Sequence, residues 1–191
     1  MKKLKQRMNL RDYRAILKEL RKEIKDLGFD LKMRRIPFSW NRYGQGPNFQ
    51  EIYGSFYAPK KIITIYYSEK VSRVSRVFVL LHETRHLQQY TSNQYNEYYT
   101  STYKKIGELI KTNTLPNLLS GIRAEHNCNK YASNKLKEYG YLHPKNLLQY
   151  HKDSVYGWEM HARFIGAFGF KRYCECKNSL PTWFSFYDRG E

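Results

Sequence analysis

Apolar positions near the start of the chain recur at steps of three and four. Leu10, Tyr13, Leu17, Leu20, Ile24 and Leu27 share one side of a 3.6-residue period, which predicts an amphipathic helix over residues 9–28. Asn9 is placed to cap it and Gly28 to end it. The period then falls to two. Phe29, Leu31 and Met33 alternate with Asp30, Lys32 and Arg34, the pattern of a strand. Residues 39–48, with Gly44, Gly46 and Pro47, read as a loop. Two stretches, 51–57 and 61–67, flank Ala58-Pro59-Lys60 and predict a hairpin. Its second arm, Ile62-Ile63-Thr64-Ile65-Tyr66-Tyr67, is the strongest strand sequence in the chain.

Helical patterning dominates from there on. Residues 69–90 contain the apolar run Val77-Phe78-Val79-Leu80-Leu81, too continuous for a surface helix and therefore predicted to be buried. A Tyr-rich helix is expected over 95–112. Another runs from about Pro116 to about Tyr139 and stops at Gly140. Shorter helices are expected near 144–152 and 154–172, with 173–191 irregular. This order predicts an α+β fold: a small, mostly antiparallel sheet on the N-terminal side, then a mainly helical C-terminal half. The length of 191 residues suits a single domain over 1–191.

Charge narrows the choice of partners. The formal net charge is +17, and residues 1–35 hold thirteen Lys/Arg against five Asp/Glu. Such an excess favours polyanions: nucleic acid (DNA or RNA through the basic surface), an anionic membrane surface or an acidic protein. The three cysteines, Cys128, Cys174 and Cys176, lack the spacing of a disulfide framework or of a structural zinc site. No apolar segment follows the basic start Met1-Lys2-Lys3-Leu4-Lys5, and no run is long enough to span a bilayer. The expected location is therefore cytoplasmic or intracellular.

Candidate chemistry centres on His82-Glu83-Thr84-Arg85-His86. Two histidines four apart on a helix lie one turn above each other, so both imidazoles can reach one Zn²⁺. Glu83, beside them, is placed to act as general base towards a zinc-activated water. The bland alternative is a helix whose imidazoles meet solvent or core partners. A catalytic zinc needs a third protein ligand. Leu118, Ile122, Glu125, Asn129, Ala132 and Leu136 form one helical stripe, so Glu125 projects inward among apolar residues. Metal binding would offset the cost of burying that carboxylate; pairing with a Lys or Arg is the alternative. Asn129, one turn on, is placed to hydrogen-bond a ligand histidine. Glu159 and His126 are the rivals of Glu125 as third ligand. His161, on a helix near Glu159, is the candidate to stabilise an oxyanion.

These residues resemble the zincin metallopeptidases, and in particular the gluzincin-like arrangement in which an HExxH helix is followed by a helix bearing a Glu ligand. The stretch Glu125-His126-Asn127-Cys128-Asn129-Lys130-Tyr131-Ala132 resembles the E-x-x-A-[DN]-x-x-A pattern of small intracellular or phage-borne zincin-like proteins. The resemblance covers about residues 50–135. It implies one Zn²⁺ per chain held by His82, His86 and Glu125, with Glu83 as general base and Asn129 supporting a ligand. It also implies that the sheet packs on the active-site helix and that its edge binds an extended protein or peptide substrate. On this reading 1–28 is a basic N-terminal helix, 29–140 the catalytic core and 141–191 a helical C-terminal part. The expected function is zinc-dependent peptide-bond hydrolysis. The alternative is a nucleic-acid-binding protein on a zincin scaffold with catalysis weak or lost.

Overall fold

The structure, a computed structural model, describes residues 4–35, 52–96, 99, 115–145, 148, 149, 159 and 162. The expected loop 39–48, most of the Tyr-rich helix 95–112, and nearly all of the elements expected beyond 144 lie outside the described residues. The chain divides into two compact units. The first comprises residues 1–92 and 127–150; the second comprises 93–126 and 151–191.

In the first unit, helix α1 spans Leu10–Asp26. Asn9 caps it, its side chain accepting from the Asp12 amide at 2.8 Å, so one of the unpaired amides of the first turn is satisfied. Gly28, at φ +80°, lets the chain leave the helix in the left-handed region and enter β1. Ile16, Leu20 and Ile24 are the buried positions of α1. Strand β1 spans Asp30–Arg35, β2 spans Ile52–Tyr57 and β3 spans Ile62–Tyr67. A single 3-10 turn, Ala58–Lys60, joins β2 to β3, and Lys61 follows it in the left-handed region.

The hairpin is present as expected, with Ile52 opposite Tyr67 and Tyr57 opposite Ile62. The sheet is not mostly antiparallel. Its order is β1-β3-β2, and β1 runs parallel to β3 with Asp30 beside Ile62. A hairpin leaves two free edges, and β1 joins the edge of the more apolar arm. That places Ile63 and Ile65 of β3, both 0% exposed, at the sheet centre and makes the sheet mixed.

Helix α2, Arg73–Thr91, lies against β2, β3 and α1. The Ser72 side chain caps it by accepting from the Ser75 amide at 3.0 Å. Val74, Val77, Phe78, Val79, Leu80, Leu81 and Leu87 are all buried, so α2 is enclosed on every side, as an all-round apolar helix must be. Removing the Phe78 ring is expected to cost about 3–5 kcal/mol, because a fully enclosed site collapses poorly around a cavity. Urea denaturation of Phe78→Ala checks this.

Helix α3 spans Leu115–Glu138, and its residues 127–138 belong to the first unit. Gly140, at φ +86°, follows its end. Tyr139 donates to Glu19 at 2.7 Å, and the Tyr141 hydroxyl donates to Asp12, fastening this end of α3 to α1. Burial and the neighbouring carboxylate push the Tyr141 phenol up to about 12. Among the described residues, no helix is long and apolar enough to cross a membrane.

Candidate metal centre

The buried length of α2 carries the three residues that the motif singles out. His82 is 2% exposed, Glu83 7% and His86 6%. Polar groups placed so deep are costly unless they find partners, and the partners of His82 are specific. Its Nδ1 meets Asn129 Oδ1 at 3.0 Å. An amide oxygen only accepts, so Nδ1 donates this bond. The other ring nitrogen, Nε2, faces His86 Nε2, 3.0 Å away. The rings cross at 73°, with centroids 4.8 Å apart. Two imidazoles whose Nε2 atoms converge at this spacing match adjacent corners of a metal's coordination shell.

Cys128 completes the local donor set. Its Sγ and the histidine nitrogens all lie within 4.8 Å of one another, and all three residues are buried. His82, His86 and Cys128 can therefore hold a metal ion. Two imidazoles and a thiol are borderline-to-soft donors, a set that suits zinc better than calcium or magnesium. Asn129 gives a second sign of fit. Its Nδ2 is buried without a hydrogen-bond partner in the described structure, and such an orphan donor is worth satisfying with an anionic ligand.

The seam between α2 and residues 127–131 of α3 holds this group together. Arg85 Nε donates to Asn127 Oδ1 at 2.7 Å, and its Nη1 donates to Gln88 Oε1 at 3.0 Å. The guanidinium also lies 5.6 Å from the Tyr131 ring centroid. Gln89 Nε2 donates to the same Asn127 oxygen at 3.0 Å, and Cys128 Sγ approaches Gln89 Oε1 at 3.5 Å. Arg85 is the basic residue within the motif. It is satisfied by α3 and fixes that helix against α2.

Glu83 faces the sheet. A methyl group added at Gly54 would sit 2.7 Å from Glu83 Cδ and closer still to Cγ and Oε1. No side chain other than hydrogen fits there, so Gly54 is the notch in β2 that admits the carboxylate. Among the described residues β2 is an edge strand, and Glu83 sits against its middle. Gly54→Ala is expected to displace the Glu83 side chain and to lower stability by about 1–3 kcal/mol, the cost of overpacking a filled position. Urea denaturation of the variant checks it.

Sequence reasoning singled out His82, Glu83, His86 and Asn129; the structure brings His82, His86 and Asn129 together and sets Glu83 against Gly54 of β2. It did not anticipate Cys128, Gly54 or the Arg85–Asn127 seam. Cys128 was weighed only with Cys174 and Cys176, although its place next to Asn129 was the available signal. In the second unit, His126 Nε2 and Glu159 Oε1 meet at 2.8 Å. The two rivals for third ligand are thus each other's partners. Glu125 is half-buried. His161 lies outside the described residues. No family model matches the chain, and neither does any curated protein or solved structure.

Proposed function

We propose that the protein is a zinc-dependent metallopeptidase of the zincin kind. The observation that supports this reading is the convergence of His82 Nε2 and His86 Nε2 in a buried site, on the helix whose Glu83 carboxylate packs against Gly54 of β2. His82 and His86 would hold the ion. Spacing makes Glu125 the third ligand, one helical turn before Asn129; the donor group around the histidines makes Cys128 its competitor. A bound zinc ion supplies a Lewis acid and lowers the pKa of water towards about 7.

The chain's own residues account for the rest of the chemistry. Asn129 fixes the His82 tautomer, so that Nε2 is available as a donor atom. β2, at the edge of the sheet among the described residues, offers main-chain groups with which an extended peptide could pair. Such a peptide would run past Gly54, and hence past Glu83. Glu83 then takes a proton from the attacking water and gives it to the leaving amine as the peptide bond breaks. Burial of the site keeps bulk water from competing.

The test is a proteome-derived peptide mixture incubated with the zinc-loaded protein and searched by mass spectrometry for new amino termini. Cleavage that disappears with a chelator and returns with zinc is expected. A protein that binds zinc and cuts nothing in the mixture would contradict the proposal.

A further inference from the structure

Helix α1 sorts its side chains by charge as well as by hydropathy. At about 100° per residue, Asp12, Glu19, Glu23 and Asp26 form one flank of its buried face, and Arg11, Arg14, Lys18, Arg21, Lys22 and Lys25 form the other. The acidic flank is largely consumed inside the fold. Asp12 accepts from the Tyr141 hydroxyl, Glu19 accepts from Tyr139, and Glu23 accepts from Gln88 at 2.5 Å. The basic flank is treated differently. All six of its residues are exposed, and among the described residues none is paired with a carboxylate.

This arrangement works against the helix itself. Arg11 and Arg14, Arg14 and Lys18, Lys18 and Lys22, and Arg21 and Lys25 are like charges at spacings of three or four, where they repel. An isolated solvated face would gain from mixing the two signs. Separating them concentrates positive charge along a straight row about 21 Å long, at about 1.5 Å per residue. Such a row complements a regular line of phosphates.

We propose that the basic flank of α1 is a docking surface for the phosphate backbone of duplex nucleic acid, bound without regard to sequence. The composition of the flank selects this partner. It has no aromatic side chain on which an unpaired base could stack, and its row of Arg and Lys charges matches phosphates, which carry no sequence information. It also has no apolar wedge for a bilayer. Ile16, Leu20 and Ile24 point into the core, and Leu10 is the one large apolar residue exposed on α1, at its first turn. The inference stands apart from the metal centre and does not depend on it.

The experiment compares the full chain with the triple variant Arg14→Gln, Lys18→Gln, Lys22→Gln. Glutamine preserves helix propensity, and equal melting curves confirm an intact fold. Fluorescence anisotropy follows binding to two unrelated duplexes of about 30 base pairs at about 50 and about 200 mM salt. Six phosphate contacts predict a loss of affinity of about 10³-fold between those salt levels; three predict only about 40-fold for the variant. Equal affinity for both duplexes is expected. The proposal is overturned by no binding at the lower salt, by an unchanged salt slope in the triple variant, or by binding to phosphatidylserine vesicles in preference to duplex.

Discussion

On the proposed function, Glu83→Gln is expected to lower peptide-bond cleavage by roughly 10²–10⁴-fold, the span that a positioned general base contributes, and to leave bound zinc at the wild-type level. The glutamine has the shape of the glutamate and fits the notch left by Gly54, so packing is retained. The substitution would remove the ability to take a proton from water. His82 keeps its hydrogen bond to Asn129, so the histidine pair is expected to stay in place. Single-turnover cleavage of whichever peptide the library yields, with zinc content measured on the same samples, separates the two effects. A variant with unaltered turnover would show that Glu83 is a packing residue and that another group moves the proton.

The second large effect concerns the histidines. His86→Ala is expected to abolish zinc binding and to lower stability by more than the metal-free wild type loses. Two physical terms act together. A ligand that binds only the folded chain stabilises it by mass action, about 4 kcal/mol when present at about 1,000 times its dissociation constant. The alanine also leaves His82 Nε2 buried without its present neighbour, an unsatisfied group that costs about 1–3 kcal/mol. Thermal melting with and without chelator reads both. Wild type should melt several degrees lower once chelated, and the variant lower still and without response to chelator. Equal melting of the two proteins in chelator would place His86 at solvent and undo the buried-centre description.

The sequence patterns that translated well were those in which one element determines its own period. Asn9 and Gly28 bound α1, Ala58-Pro59-Lys60 turns the hairpin, and the unbroken run through Leu81 buries α2. The inward stripe of α3 held at Ile122, Asn129, Ala132 and Leu136. What failed to translate was pairing between distant segments. The parallel contact of β1 with β3 follows from which hairpin edge a third strand covers, and alternation within one strand does not encode that choice. Gly54 was legible as a weak point in a strand, but its fit to Glu83 exists only once β2 lies over α2. Cys128 escaped for a related reason. Motif spacing assumes that ligands come from one local pattern, whereas the thiol reaches the histidines through the seam fixed by Arg85 and Asn127.

The third ligand divides the resemblance from the local geometry. A zincin of the gluzincin-like kind requires Glu125; the donor group around the histidine pair offers Cys128. The most direct measurement is zinc per chain by elemental analysis, on wild type, His82→Ala, Glu125→Ala and Cys128→Ser, each purified without added metal and then loaded and desalted. The account predicts about one equivalent in wild type, none in His82→Ala, and a loss in Glu125→Ala with zinc retained in Cys128→Ser. Wild type that holds no zinc after loading would contradict the metal centre itself, and with it the proposed hydrolysis.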